Sequence, residues 1–126
     1  MKPLDLALVC SGMPGFFRTA AISLTDRFRL LECFTLPEAA QLAAMHQPRL
    51  VVLDARSVSE SQLPRLQAMI ELCCDCRFVI LSKPESNPLR SMPPEVRSRV
   101  RPVELQSPHA DANDPLITAL QCELSE

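Results

Sequence analysis

Leu50-Val51-Val52-Leu53-Asp54 is an unbroken run of leucine and valine that ends in a carboxylate. Apolar residues at every position, rather than at every second one, are typical of a strand that is covered on both faces of a sheet. Pro48 stops the helical pattern before the run. The segment therefore predicts a buried parallel strand with Asp54 at its carboxyl end.

Four further segments predict the strands that accompany it. Residues 4–10 and 78–81 are similar apolar runs, and residues 28–34 are rich in large apolar side chains. Residues 100–105 predict a fifth strand. Pro102 within that segment suits the edge of a sheet, because proline has no N–H to donate to a central ladder.

Helical patterns with one apolar side lie between these strands, over residues 16–24, 36–46 and 63–73. Thr35, with Glu38 three residues later, matches a capping box at the start of the second helix. Asp114-Pro115 matches an N-cap and first helical residue, and predicts a last helix with an apolar side longer than a short capping helix needs. Six prolines between positions 84 and 108 allow only a short or broken fourth helix.

The alternation of strands and helices decides the fold class. Buried strands joined by helices require right-handed crossovers, with helices on both faces of a parallel sheet. We therefore predict an α/β fold with a five-stranded parallel sheet, doubly wound, in the flavodoxin-like strand order 2-1-3-4-5. The length of 126 residues is that of one domain.

The composition excludes several classes of function. Thirteen basic and fifteen acidic residues leave a net charge of −2, without the basic excess that nucleic acids or anionic membranes require. Trp and Tyr are absent, which removes most base-stacking groups. No apolar run of about 20 residues and no secretory signal is found. We expect a cytoplasmic protein with reduced thiols that contacts neither nucleic acid nor membrane.

In a sheet of this type, ligands bind at the carboxyl ends of the strands. The residues predicted to stand at those ends are Cys10 and Ser11, Asp54, Ser82 and Lys83, and Arg101 with Pro102. Asp54 is the one carboxylate among them. Without a ligand, Asp54 would cap the next loop, Ser82 would be a polar strand-end residue and Arg101 a solvated surface residue.

Two strands carry a resemblance to a known family. Pro48-Arg49-Leu50-Val51-Val52-Leu53-Asp54 resembles the receiver-domain strand that ends in the phosphoacceptor aspartate, and Val79-Ile80-Leu81-Ser82 resembles the next strand, which ends in a hydroxyl residue. By element order the resemblance covers nearly the whole chain. It implies a non-enzymatic receiver domain of the CheY-like superfamily, in two-component signal transduction and transcription regulation. Asp54 is then phosphoacceptor-like, and Ser82 and Arg101 are switch-like.

Other positions depart from the receiver pattern. Cys10 and Ser11 stand where receivers carry the acidic pair that binds magnesium. Arg101-Pro102 is the nearest match to the switch lysine and its proline, whereas Lys83-Pro84 follows the fourth strand and does not match. Ala55-Arg56-Ser57 replaces the usual Met-Pro turn after the phosphoacceptor. One carboxylate supplies too few charged oxygens for a hard divalent cation.

These departures predict a pseudo-receiver that is not phosphorylated by the normal route and holds no metal or cofactor. We expect it to bind a protein partner, or a second copy of itself, through the fourth helix, the fifth strand and the last helix. The resemblance also implies that residues 1–126 are one receiver-like domain, either alone or as the N-terminal part of a longer regulator.

Three alternatives stay open. The first is a receiver that is phosphorylated at Asp54. The second is a small cysteine phosphatase that uses Cys10, although the spacing to Arg18 is too long and Pro14 removes an amide donor. The third is a metal site at Cys73-Cys74-Asp75-Cys76. Two features of the sequence oppose it: no second Cys or His pair stands at zinc-finger distance, and His46 and His109 are isolated.

Overall fold

The computed structural model describes residues 4–13, 15–73, 75–83, 88–105 and 113–124. Within them, five strands form one sheet in which every pairing is parallel. Its order is β2-β1-β3-β4-β5. The strands are β1 (Asp5–Cys10), β2 (Phe28–Cys33), β3 (Leu50–Asp54), β4 (Arg77–Ser82) and β5 (Val100–Glu104). The predicted α/β fold class and the strand order 2-1-3-4-5 are confirmed, and β5 with Pro102 lies at an edge.

The helices are α1 (Phe16–Leu24), α2 (Leu36–His46), α3 (Leu63–Leu72), α4 (Pro94–Arg97) and α5 (Asn113–Leu124). The predicted capping box at α2 is present, because Thr35 Oγ1 accepts from the Glu38 amide and the Glu38 carboxylate accepts from the Thr35 amide. The fourth helix is a single turn, as the prolines predicted.

The packing of β3 explains why its first four positions, residues 50–53, are all apolar. Val51 and Leu53 pack into a core cluster formed with α2, α3 and α4, whereas Leu50 and Val52 pack into a second cluster formed with α1 and α5. Each strand position therefore contributes to one of two cores. Burying a side chain of this size stabilises the fold by about 1.5–3 kcal/mol. The central strand is held from both faces, which positions its last residue, Asp54.

Two predictions about α5 need correction. The helix is already formed at Asn113, one residue before the predicted cap Asp114. The apolar side of α5, which we expected to be longer than the fold needs, packs into the core: Leu116 and Leu120 are 1% and 0% exposed. The large apolar side chains that the described structure leaves exposed lie on other elements, and are Leu4, Met13, Ile22, Phe34, Met45 and Leu72.

Some sequence features lie outside the described residues. These are the polar loop at 107–112, Cys74, Pro84, Pro108 and His109. In the part of the chain that the structure describes, no helix is long and apolar enough to cross a membrane.

Candidate functional site

The carboxyl ends of β1, β3 and β4 bring three polar side chains to one edge of the sheet. Cys10, the last residue of β1, pairs with Leu53, and Asp54 pairs with Leu81. Ser11, which comes directly after β1, and Ser82, the last residue of β4, therefore lie on either side of Asp54. All three polar residues are buried, with 8%, 2% and 1% of Ser11, Asp54 and Ser82 exposed.

Both oxygens of the Asp54 carboxylate are occupied. Oδ1 accepts from the backbone amide of Arg56 at 3.0 Å and from Arg56 Nε at 2.9 Å. Oδ2 accepts from Arg56 Nη2 at 2.8 Å and from the Ser11 hydroxyl at 2.7 Å. The Asp54 side chain is 0% exposed and that of Arg56 is 16% exposed. This is a buried, bidentate ion pair, the geometry in which arginine binds carboxylates most strongly.

The local backbone explains why Arg56 reaches back to Asp54. The chain leaves β3 directly into a short 3-10 turn, Ala55–Ser57, and the Asp54 carboxylate caps that turn through the Arg56 amide. Because of this turn, the side chain of Arg56, two residues after Asp54, lies on the same side of the chain as the carboxylate. The side chain needs no long-range element to complete the pair.

Charge compensation follows from this contact. A buried carboxylate without a partner would cost several kcal/mol in lost hydration. Arg56 supplies the positive charge within the chain, and Ser11 supplies one further donor. Sequence reasoning missed this role of Arg56, although its presence in the segment that replaces the Met-Pro turn was the signal.

Cys10 and Ser11 occupy the positions of the acidic pair but supply no negative charge there. Cys10 Sγ donates to the carbonyl of Thr35 at 3.4 Å and lies beside Cys33, its neighbour across the sheet. The hydrogen bond with Cys33 and burial both raise the pKa of the Cys10 thiol. The Ser11 hydroxyl donates to Asp54 and accepts from the Met13 amide at 2.9 Å. Both side chains are neutral and engaged.

Ser82 is polar, buried and differently placed. Its carbonyl accepts from the Leu105 amide at 3.0 Å. Its hydroxyl has no hydrogen-bond partner among residues 4–13, 15–73, 75–83, 88–105 and 113–124. Lys83, half-buried, follows it directly. The hydroxyl thus lies at the strand end as predicted.

The prediction that Arg101 stands at the carboxyl end of β5 is wrong. Arg101 pairs with Val79, and the strand continues to Glu104. Its Nε donates to Glu123 of α5 at 2.7 Å. The Arg-Pro pair was misplaced because an edge strand tolerates Pro102 in its interior, so the proline does not mark the end of the strand.

The residues present do not fit a magnesium ion. A hard cation needs several oxygen ligands, and carboxylates above all. The Asp54 carboxylate already binds a guanidinium with both oxygens, and Cys10 and Ser11, which hold the positions of the acidic pair, add no charge. Among the described residues, no three His, Cys, Asp or Glu side chains cluster in a way that could hold a metal.

The geometry also gives no support to Cys10 as a nucleophile. A phosphatase cysteine reacts as a thiolate at a helix N-terminus. Cys10 is 2% exposed and its pKa is raised, and Arg18 is an exposed residue of α1. The thiol and the guanidinium therefore do not form the pair that the alternative needs.

Comparison with solved structures shows receiver domains of the same fold. The BeF3-activated DrrB receiver domain is 12% identical, with a TM-score of 0.65, and the match covers 98% of this chain and 100% of that one. The response regulator domain of Thermotoga maritima CheB is 12% identical, with a TM-score of 0.63 and coverages of 98% and 92%. The chemotaxis response regulator CheY4 of Vibrio cholerae is 13% identical, with a TM-score of 0.62 and coverages of 95% and 98%.

These likenesses extend over nearly the whole chain, at identities that show the fold alone. No protein-family model and no curated protein sequence matches the chain.

Proposed function

We propose that this chain, which has the fold of the receiver domains of response regulators, is a cytoplasmic signalling module that acts through protein–protein contacts. In this proposal Asp54 is not phosphorylated by the magnesium-dependent route. The chain is a pseudo-receiver, not an enzyme. The observation that carries the proposal is the buried ion pair between Asp54 and Arg56.

The ion pair supports the proposal because a phosphoacceptor must offer a free oxygen as nucleophile. Each oxygen of Asp54 accepts two hydrogen bonds: Oδ1 accepts two from Arg56, and Oδ2 accepts one from Arg56 and one from Ser11. Attack on a phosphoryl donor would require the guanidinium to leave and the carboxylate to remain buried without it. Such a rearrangement costs several kcal/mol.

The lack of metal ligands supports it independently. Phosphoryl transfer depends on a cation that neutralises charge developing on the transferred group. Arg56 is committed to Asp54, and the acid-pair positions hold the neutral side chains of Cys10 and Ser11. Two separate elements, the β1 end and the turn after β3, therefore oppose the same reaction.

The contacts of the module are proposed to involve α4, β5 and α5. The exposed side chains of these elements include Pro102, Glu104, Thr118, Gln121 and Cys122. The occupant is a protein partner or a second copy of the chain. With no phosphorylation to shift an equilibrium, the face stays in one binding-competent form.

A titration with magnesium and beryllofluoride, which mimics a phosphoryl group on aspartate, tests the proposal. We expect no saturable shift of backbone amide resonances at residues 10–11, 54–57 and 82–83 in a ¹⁵N-correlated NMR spectrum. A saturable shift at these positions that disappears in Asp54→Ala would favour the alternative, a receiver that is phosphorylated at Asp54.

A further inference from the structure

A groove lies between α2 and α3, at the end of the sheet opposite to Asp54. Its lining includes Pro48 and Arg49, which precede β3, and Asp75 and Cys76, which precede β4. The groove has a volume of about 590 Å³. Cavities that bind small molecules commonly measure about 300–1,000 Å³. The size therefore suits one small ligand.

The groove owes its depth to small side chains. Ala40, Ala43 and Ala44 line it from α2, and Ala68 lines it from α3. Larger residues at these positions would fill the space between the two helices. Leu72, which is 82% exposed, stands at its wall as an apolar side chain without cover.

The floor of the groove is apolar. Ala43, Met69 and Cys76 are 1%, 4% and 7% exposed, and all three line the groove. Burial raises the pKa of the Cys76 thiol to about 12, as expected for a group in apolar surroundings. Above this closed floor, the apolar surface that a ligand would contact is that of the exposed Ala44, Ala68 and Leu72.

The rim carries more positive than negative charge. The exposed arginines Arg49 and Arg65 both line the groove, with Asp75 as the one acid. Neither guanidinium forms an ion pair within the described ranges, whereas Arg56, Arg77, Arg90 and Arg101 all do. Two uncommitted arginines beside an apolar floor are complementary to a molecule with an apolar body and an anionic end.

We propose that the groove between α2 and α3 binds a small amphipathic anion. Its apolar body lies against the accessible side chains of Ala44, Ala68 and Leu72, and its carboxylate or other anionic group contacts Arg65 and Arg49. The site is independent of Asp54 and of the contact face proposed for α4, β5 and α5. It adds ligand binding to the module.

Three probes with the same chain and different head groups test the proposal: decanoate, decan-1-ol and decylammonium. Each is titrated into the ¹⁵N-labelled protein and followed by NMR. We expect decanoate to bind saturably, with shifts at Ala40, Ala44, Ala68 and Leu72. We expect weaker binding of the alcohol and the weakest binding of the ammonium probe, because only the carboxylate complements the arginines.

Variants locate the site. Arg65→Glu should weaken decanoate binding about fivefold, the effect of one partly exposed charge contact. Ala68→Trp should fill the groove and abolish binding. If that variant melts at a much lower temperature, Ala44→Leu serves in its place. The matched controls are Arg18→Glu on α1 and Thr118→Trp on α5, which lie outside the groove and should leave the Kd unchanged.

The proposal is overturned by any of three results. The first is the absence of saturable shifts with decanoate. The second is equal or tighter binding of decylammonium, which would show that the arginines do not select the head group. The third is a decanoate Kd that Ala68→Trp and Ala44→Leu leave unchanged in folded protein, which would place the binding elsewhere, including on a surface used by a protein partner.

Discussion

At the scale of single residues, Arg56 decides what Asp54 can do. A guanidinium presents two parallel donors, so it engages both carboxylate oxygens at once, which a lysine ammonium cannot match. The Ser11 hydroxyl donates one more hydrogen bond to Asp54 Oδ2. Asp54 therefore has a structural role in holding the turn after β3, whatever else binds nearby.

Removing the guanidinium should lower stability. We expect Arg56→Ala to reduce the free energy of unfolding by about 2–3 kcal/mol, because Asp54 is left buried with only Ser11 and one amide as donors. Arg56→Lys should lose less. Urea unfolding with unchanged m-value measures the effect. Arg18→Ala, which removes an exposed arginine, is the control and should change stability by less than about 0.5 kcal/mol. Equal effects of the two alanine variants would contradict the assignment.

The cysteines should differ in reactivity. The pKa of the Cys76 thiol is raised to about 12 by burial, and that of Cys10 is also raised, so at pH 8 almost none of either is thiolate. Since the thiolate is the reactive form, both should resist iodoacetamide in the folded protein, while exposed Cys122 reacts. Peptide mapping by mass spectrometry gives the order. Fast labelling of Cys10 in native protein would revive the phosphatase alternative.

The polar residues of the site follow from the sequence pattern, whereas the ion pair does not. The carboxylate of Asp54 was identified because it ends an apolar run, and Ser11 and Ser82 because they follow strands. The ion pair was not, because it depends on the 3-10 turn at Ala55–Ser57, which leaves no periodic signal. Arg101 was misplaced because a proline inside an edge strand looks the same in sequence as one after a strand.

At the scale of elements, α5 is attached to the sheet through Glu123. This carboxylate, 8% exposed, accepts from Arg101 Nε of β5 at 2.7 Å. Arg77 Nε of β4 lies 3.2 Å from its other oxygen, in an ion pair without hydrogen-bond geometry. The last turn of the helix is therefore connected to two neighbouring strands, in addition to the apolar packing of Leu116 and Leu120.

This attachment predicts a local effect on the end of α5. Glu123→Ala should reduce the free energy of unfolding by about 1–2 kcal/mol, less than a fully buried pair, because Arg77 and Arg101 are 53% and 30% exposed and regain water. It should also speed amide hydrogen exchange in the last turn. Gln121→Ala, an exposed position on the same helix, is the control. Unchanged exchange in Glu123→Ala would refute the role of this carboxylate.

The elements themselves were largely predictable. Apolar runs identified β1, β3 and β4, and the Thr35–Glu38 capping box placed the start of α2 correctly. Short-range patterns of this kind reflect local backbone chemistry. The surplus apolar face expected on α5 was wrong because the length of an apolar stripe does not reveal how much partner surface α1 and the sheet provide.

At the scale of the whole molecule, the two faces of the sheet are both covered, so binding depends on the exposed sides of the helices. On the proposed face of α4, β5 and α5, Thr118 and Gln121 are exposed. Thr118→Arg with Gln121→Arg should weaken self-association in sedimentation equilibrium, or binding to a partner, without lowering the thermal midpoint. If the double variant binds as before while Asp54→Asn, at a temperature where it is folded, abolishes the contact, the pseudo-receiver proposal fails.

Because Arg56 binds both oxygens of Asp54, we expect that Asp54 is not a phosphoacceptor. Intact-mass spectrometry after incubation with magnesium and acetyl phosphate tests it most directly, with Asp54→Ala as the control. The predicted result is the unmodified mass for both proteins. A stoichiometric adduct of one phosphoryl group on the wild-type chain, absent from Asp54→Ala, would contradict the claim.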